Sequence, residues 1–202
     1  MKNPLKIVIV GASGKMGQVL IQQISNSPDL LLTGAIDQAS CPTLGMDAGT
    51  LFGIKTDVMI NDDFESIIKK GDYVIDFTRP EASMQYLEAC VKNNIKYVLG
   101  TTGFSDEERK KISLASKDIP ICFAPNMSVG VNLLVSLVEA ATEVLQKDYD
   151  MEIIESHHSE KIDAPSGTAL RLGEAIAKTA NLNLQENGVF HREGKMNKRK
   201  KN

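Results

Sequence analysis

The sequence predicts an α/β fold, in which a doubly wound parallel sheet is followed by a smaller α+β domain. Short runs of β-branched residues alternate with helical segments through the first two-thirds of the chain, as they do in βαβ units. A glycine-rich turn follows the first of these runs. After Ala124 the alternation stops, so we place the domain boundary between residues 126 and 127.

Each predicted strand is a short apolar or β-branched run that ends at a turn. Parallel strands need a long crossover between them, and the helical segments between these runs supply it. The predicted strands cover residues 5–10, 30–36, 73–77, 96–99 and 119–124.

The predicted helices lie between the strands and carry start and stop signals. In the first, apolar residues recur at helical spacing from Met16 to Ile24. Pro80 is a favoured first-turn residue, and Ser105 with Glu108 predicts a capping box. These helices cover residues 16–24, 62–70, 81–93 and a segment after residue 105, while residues 38–56 form a loop rich in glycine, proline and threonine.

The last third of the chain has a different pattern. Apolar residues at helical spacing predict a long helix over residues 129–145. A mixed run predicts a strand over residues 150–156, and another helix follows over residues 167–180. Residues 195–202 are basic and polar without periodicity, and we expect them to be disordered.

The turn from Gly11 to Gly17 follows a strand and opens a helix, the setting that makes a glycine motif informative. Glycine lets a pyrophosphate approach the backbone, and the helix start supplies N–H groups. A tight turn without a ligand is the alternative. A P-loop is excluded, because Lys15 is followed by Met16 rather than Ser or Thr. The turn therefore predicts a Rossmann-like dinucleotide-binding domain over residues 1–126.

Asp37 ends the second predicted strand, where an acidic residue commonly accepts hydrogen bonds from the adenosine ribose. A strand-end turn aspartate is the alternative. Its carboxylate would repel a 2′-phosphate, so we expect NADH to be preferred over NADPH. Lys15 and Arg79 are candidate cofactor-binding cations that would leave NADPH possible.

Composition and charge exclude several classes of protein. The net charge of −3 provides no basic field for nucleic acid or anionic lipid. The chain does not begin with a signal peptide, and no apolar stretch approaches the roughly 20 residues that span a bilayer. Three widely separated cysteines fit a reducing compartment, so we expect a cytoplasmic protein without nucleic-acid or membrane partners.

Residues 155–170 combine His157, His158 and Lys161 in one short segment. Histidine titrates near neutral pH and lysine is a cation, so the group suits proton donation and anion binding. Gly167 and Thr168 then open a helix whose N–H groups suit a carboxylate. A polar loop with a capped helix is the alternative. A metal site is not expected, because the histidine pair has no third ligand at a recognisable spacing.

Five segments together resemble one enzyme family. They are GASGKMG (11–17), DFTRPE (76–81), GTTG (100–103), APNMSVGVN (124–132) and ESHHSEKIDAPSGTAL (155–170). In this order they are similar to 4-hydroxy-tetrahydrodipicolinate reductase, also called dihydrodipicolinate reductase, over about residues 6–194. The resemblance implies hydride transfer from a nicotinamide cofactor to a cyclic imine dicarboxylate, giving tetrahydrodipicolinate in lysine and diaminopimelate synthesis.

The resemblance also implies roles for individual residues. His157 matches the family's proton donor or acceptor, and Lys161 its second proton donor. His158, Gly167 and Thr168 match its substrate-binding residues. Small residues at 100–102 are expected to leave room for the nicotinamide. The matches to its cofactor contacts are Gly11, Ala12, Ser13, Gly14, Lys15, Met16, Asp37, Gly100, Thr101, Thr102, Ala124, Pro125, Asn126 and Met127.

Family members normally continue past the point where this chain ends, so we expect a truncated chain with an incomplete substrate domain over residues 127–202. The family is homotetrameric, and because we expect a truncated chain, we make no prediction of its oligomeric state. The alternative function is a catalytically impaired protein that binds the dinucleotide without turnover. A sugar or alcohol reductase is disfavoured, because none of the four tyrosines precedes a lysine by four positions.

Overall fold

A computed structural model describes residues 3–159, 161–162 and 164–195. The chain divides into two compact units, the first ending at Pro125 and the second beginning at Asn126. The first unit is an α/β layer structure, and the second consists of helices and connecting segments in its described part.

The first unit is built on a six-stranded sheet in the order β3-β2-β1-β4-β5-β6, with every neighbouring pair parallel. The strands are β1 (Leu5–Val10), β2 (Leu30–Ile36), β3 (Ile60–Asn61), β4 (Tyr73–Asp76), β5 (Lys96–Leu99) and β6 (Ile121–Phe123). The direction of winding reverses between β1 and β4, which creates a crevice at the carboxyl ends of those strands. The predicted α/β, Rossmann-like parallel sheet is confirmed.

Helices cover both faces of this sheet. They are α1 (Lys15–Ser25), α2 (Phe64–Ile67), α3 (Pro80–Asn93) and α4 (Asp106–Ala115). Side chains alternate along β1, so that Ile7 and Ile9 join one buried cluster while Val8 and Val10 join another. The predicted capping box forms at α4, where Ser105 accepts from the Glu108 N–H and Glu108 accepts from the Ser105 N–H.

The sequence prediction missed two short elements in this unit. Strand β3 has only two residues and pairs with β2 at the edge of the sheet. A run that short carries no alternation from which a strand can be recognised. The predicted loop over residues 38–56 also contains a single 3-10 turn, Thr50–Phe52.

The second unit contains α5 (Val129–Leu145), α6 (Gly167–Thr179) and α7 (Leu184–Asn187), and α5 packs against α6. The strand predicted over residues 150–156 is wrong. A strand needs a hydrogen-bonded partner, and no described segment pairs with these residues. The predicted disorder at residues 195–202 falls, from residue 196 onward, outside the described residues. None of the helices in the described ranges is long and apolar enough to cross a membrane.

Candidate functional site

The glycine turn after β1 can be formed only by glycine at two of its positions. Gly11 has a φ of +70°, and a Cβ placed on it would lie 2.7 Å from the Thr78 Cγ2 atom. A Cβ on Gly17 would overlap the Gly11 carbonyl oxygen and would lie 2.9 Å from the Ala12 Cα atom. The first turn of α1 therefore lies directly against the backbone of Gly11 and Ala12, as in a pyrophosphate-binding turn.

The start of α1 is open to an anion. Gly14 is the N-cap and makes no side-chain capping hydrogen bond. Gly14, Lys15 and Met16 are exposed. First-turn N–H groups lack partners within a helix, and the helix dipole is positive at this end. The arrangement suits the phosphates of a dinucleotide.

Asp37 holds the same turn from the end of β2. Its Oδ2 atom accepts from the Ser13 N–H at 2.8 Å, and its Oδ1 atom accepts from the Gln38 N–H at 2.8 Å. A carboxylate has about four acceptor sites, so a ribose hydroxyl can still donate to either oxygen. Asp37 therefore both orders the turn and lies beside it as a potential ribose acceptor.

Two residues that the sequence did not single out also contact the turn. The Ser13 Oγ atom lies 2.6 Å from the Thr43 Oγ1 atom and 3.1 Å from the Cys41 Sγ atom. Hydrogen bonds from Ser13 and then Thr43 lower the pKa of the Cys41 thiol. These contacts join the loop after β2 to the turn over a separation of about 30 residues. A local sequence pattern does not predict a contact between residues so far apart along the chain.

The loop after β5 begins at Gly100, which packs against Phe77. A Cβ at Gly100 would overlap the Phe77 ring. The Thr101 side chain is buried, whereas Thr102 is exposed. The glycine at position 100 thus allows β4 and β5 to end close together, and Thr102 is the accessible side chain of the loop.

The remaining candidate cofactor residues are distributed along the chain. Arg79 is exposed and is the N-cap residue of α3. Ala124 donates its N–H to the Leu99 carbonyl at 3.2 Å and belongs with Pro125 to the first unit. Asn126 and Met127 belong to the second unit. The segment 124–127 thus joins the two units.

The second unit brings together Glu155, His157 and Ser166. The Glu155 Oε2 atom lies 2.8 Å from the His157 Nε2 atom, and the Glu155 Oε1 atom accepts from the Ser166 N–H at 2.9 Å. Hydrogen bonds from the Ser166 side chain and then from His157 lower the pKa of Glu155 to about 2. Glu155 is therefore ionised near neutral pH and can only accept, so the His157 Nε2 atom carries a proton.

The start of α6 adjoins this group. Ser166 is the N-cap, and its hydroxyl accepts from the Ala169 N–H at 3.1 Å. A Cβ on Gly167 would meet nothing within 4 Å, so the space beside the first helical residue is open. The N–H groups of Gly167 and Thr168 belong to the first turn, where helix N–H groups have no intrahelical acceptor. They suit a carboxylate.

His158 and Lys161 lie a few residues before this helix start along the chain. The Lys161 N–H donates to the His158 carbonyl at 3.2 Å. His158 is exposed, and Lys161 is partly buried. His157, His158 and Lys161 belong to one short segment of the chain. Glu155 contacts both His157 and the N–H of Ser166 at the start of α6, so it links that helix start to His157. In the described ranges, no group of three or more His, Cys, Asp or Glu side chains is arranged to hold a metal ion.

Two protein-family models match the chain. The model described as "Dihydrodipicolinate reductase, N-terminus" matches residues 5–127. The model described as "Dihydrodipicolinate reductase, C-terminus" matches residues 130–202. Together they cover nearly the whole sequence.

Curated relatives and a solved structure are similar over the same range. A 4-hydroxy-tetrahydrodipicolinate reductase of Neisseria meningitidis serogroup C is 46% identical over 191 residues, which are 95% of this chain and 71% of the relative. One from Nitrosomonas eutropha is 48% identical over 190 residues, 94% of this chain and 71% of the relative. A dipicolinate-bound dihydrodipicolinate reductase from Paenisporosarcina sp. TG-14 is 29% identical with a TM-score of 0.73, over 98% of this chain and 71% of that one.

Proposed function

The chain belongs to the dihydrodipicolinate reductase family, and we propose that it reduces 4-hydroxy-tetrahydrodipicolinate to tetrahydrodipicolinate. In this proposal NADH binds at the turn Gly11–Gly17, and His157 and Lys161 donate or accept protons. The family is one of oxidoreductases that take a nicotinamide dinucleotide and a small-molecule substrate. The assignments of individual residues are our proposal.

One observation carries the proposal: an ionised carboxylate, Glu155, joins the candidate proton-transferring histidine to the start of α6. The glycine turn is found in many dehydrogenases. The second unit instead combines a proton-transferring group with an anion-binding helix end, and a reductase that acts on a dicarboxylate needs both.

The chain offers several groups for a substrate with two carboxylates. The N–H groups of Gly167 and Thr168 point from a helix start beside open space. His158 and Lys161, which a backbone hydrogen bond joins, precede this helix start along the chain and supply cationic or hydrogen-bonding side chains. We propose that one substrate carboxylate binds at the helix start and that His158 and Lys161 bind the other.

His157 is proposed to exchange a proton through its Nδ1 atom. Because Glu155 accepts from the Nε2 atom, we assign the proton exchange to the other ring nitrogen, Nδ1. NADH supplies the hydride when bound. Addition of a hydride to an unsaturated ring leaves an electron-rich centre, and His157 or Lys161 protonates it.

The geometry of the turn fits a dinucleotide. A Cβ at Gly11 would collide with Thr78 and a Cβ at Gly17 with the turn backbone, so both glycines are required for the tight turn that places the start of α1 beside Gly11 and Ala12. Asp37 supports the preference for NADH, since its carboxylate lies beside the turn and would repel a 2′-phosphate. Exposed Lys15 and Arg79 would make NADPH usable.

The test is the absorbance of NADH in a mixture of the purified chain, NADH and freshly generated substrate. We expect NADH to be consumed only when all three are present. A His157→Gln variant should bind NADH with unchanged affinity and lose about 100-fold in kcat. If wild-type chain binds NADH and leaves it unoxidised in the presence of substrate, the reductase proposal is wrong and the dinucleotide-binding alternative stands.

A further inference from the structure

A buried carboxylate lies at the carboxyl end of β4, outside every role assigned above. Asp76 has no exposed surface. Its Oδ1 atom accepts from the Thr78 N–H at 2.7 Å, from the Thr78 hydroxyl at 2.6 Å and from the Thr101 hydroxyl at 3.1 Å. The Tyr97 hydroxyl donates to its Oδ2 atom. Four donors therefore satisfy one carboxylate.

A carboxylate at this position is costly for the fold. Removing a charge from water costs several kcal/mol even after relaxation. No lysine or arginine among the residues that the structure describes forms an ion pair with Asp76. An apolar residue here would leave the Thr78 and Tyr97 donors without this acceptor, so the role of the carboxylate lies in the hydrogen bonds that it accepts.

The position of Asp76 suggests a reason for these hydrogen bonds. The winding of the sheet reverses between β1 and β4, and ligands of doubly wound sheets bind at the carboxyl ends of the strands that flank such a reversal. Asp76 is the last residue of β4 and pairs with Val10, the last residue of β1. It therefore lies on the strand beside β1, level with the residue that precedes the glycine turn.

Thr78 connects the carboxylate to the glycine turn. Two hydrogen bonds to Asp76 hold its backbone and its side chain. The Thr78 methyl carbon then lies 2.7 Å from where a Cβ of Gly11 would be. Thr78 thus packs against the residue whose positive φ starts the phosphate turn.

Thr101 connects the carboxylate to the loop after β5. Its hydroxyl donates to Asp76 and accepts from the Thr78 N–H at 2.9 Å and from the Ser83 hydroxyl at 3.0 Å. A hydroxyl has one proton and two lone pairs, so all its hydrogen-bonding capacity is used inside the protein. Thr101 can contact a cofactor only through its backbone, and its side chain fixes where that backbone lies.

We propose that Asp76 is a positioning residue for the cofactor: it holds the Gly11 turn through Thr78 and the 100–103 loop through Thr101, so that one carboxylate fixes both cofactor-binding segments relative to each other. The inference rests on the proposed dinucleotide site. Tyr97 has a different part in the same network, since its hydroxyl contacts Asp76 and the Ser83 carbonyl, and Ser83 belongs to neither segment. Burial and then the charge of Asp76 raise the pKa of Tyr97, which keeps it a donor.

The test compares three variants by NADH fluorescence titration and steady-state kinetics of the full chain. Asp76→Asn keeps the shape and replaces one acceptor oxygen by a donor. We expect its Kd and KM for NADH to rise about 10- to 100-fold, the effect of losing hydrogen bonds to a charged acceptor. Its KM for the substrate should stay within about twofold of wild type. Tyr97→Phe should lower the melting temperature and leave the Kd for NADH within about twofold.

Two matched variants at Thr101 test the positioning role of the Asp76 network even if Asp76→Asn does not fold. Thr101→Ser retains the hydroxyl and should bind NADH as wild type does, whereas Thr101→Val loses it and should bind at least about tenfold more weakly. Wild-type affinity in a folded Asp76→Asn or in Thr101→Val would overturn the inference, as would equal losses in Tyr97→Phe and Asp76→Asn. If wild-type chain itself binds no NADH, the proposed function fails instead.

Discussion

Glu155 decides which nitrogen of His157 is available for proton transfer. The hydrogen bond between the two places the proton of a neutral imidazole on Nε2, so Nδ1 is the nitrogen to which we assign the proposed proton exchange. The same carboxylate accepts from the first backbone N–H of the α6 cap, so the histidine and the proposed carboxylate-binding helix end share one anchor. Glu155 thus acts through His157 and Ser166.

Glu155→Gln tests this positioning role. An amide can donate to Nε2 and thereby favour the wrong tautomer of His157. We expect kcat to fall by about 10- to 100-fold, part of the range that general acid–base catalysis contributes. The Kd for NADH should be unchanged, because Glu155 belongs to the second unit and the glycine turn to the first. A Glu155→Gln enzyme with wild-type kcat would show that His157 is not oriented by this carboxylate.

The pH dependence of stability offers a second test at Glu155. Its pKa is about 2 in the folded chain against an ordinary value of 4.5. A lowered pKa means that the unfolded chain binds the proton more readily, so this stabilisation is present above pH 4.5 and is lost as the pH falls toward about 2. Urea midpoints measured across this range should decline less steeply for Glu155→Gln than for wild type. Parallel curves would contradict the shifted pKa.

At the scale of residues, the sequence indicated candidate residues whose side chains by themselves suggest proton transfer or ribose binding. His157, Lys161 and Asp37 stand out by type and by neighbours along the chain. The contacts of Cys41 and Thr43 with Ser13 could not be predicted, because they join segments that are about 30 residues apart. The proposed role of Asp76 could not be predicted for the same reason, because its partner Thr101 lies 25 positions away along the chain.

Helix α1 and the turn before it form the element to which we assign cofactor binding. The helix can begin close to β1 only because Gly17 has no side chain, which leaves room for the Gly11 carbonyl oxygen. The same proximity directs the first N–H groups of α1 toward a ligand above the turn. Packing and binding are therefore linked at a single position.

Gly17→Ala should separate α1 from the turn. The added Cβ would overlap backbone atoms that cannot move aside independently, so we expect both a loss of stability of about 1–3 kcal/mol and a loss of NADH binding. Gly130→Ala in α5 is the matched control, because its Cβ would meet only the Ser128 Oγ atom at 3.7 Å. That change should raise helix stability by up to about 1 kcal/mol. Calorimetry and NADH titration measure both effects, and normal binding by Gly17→Ala would refute the packing argument.

At the scale of elements, periodicity predicted the long helices and the central strands well. Helix α5 begins and ends where the apolar spacing indicated, and β1 and β2 have their predicted bounds. The two misses have physical causes. Strand β3 is too short to show alternation, and residues 150–156 have strand-like side chains without a described partner to complete a ladder. Pairing is a tertiary property that a local pattern does not contain.

Across the whole molecule, each of the two units carries its own group of candidate residues. The first supplies the glycine turn, Asp37 and the Asp76 network, and the second supplies the Glu155–His157 pair and the start of α6. The two family models divide the chain at nearly the same place, at residues 127 and 130. Cofactor affinity and proton transfer should therefore respond to different sets of substitutions.

Nucleotide preference is a property that the first unit alone should determine. With Asp37 beside the turn, we expect kcat/KM to be about tenfold higher with NADH than with NADPH, the effect of modest charge repulsion at a solvent-exposed site. The ratio should narrow as salt is added, because exposed charges are screened. A strong preference for NADPH would refute the assignment of Asp37.

The most direct test of hydride transfer uses NADH carrying deuterium at C4 of the nicotinamide, in each of its two stereochemical forms. The wild-type chain is incubated with one form and freshly generated substrate, and the product is analysed by mass spectrometry. We predict that one of the two forms gives tetrahydrodipicolinate containing one deuterium per molecule. Product without deuterium from both forms, or bound NADH with no product, would contradict the account.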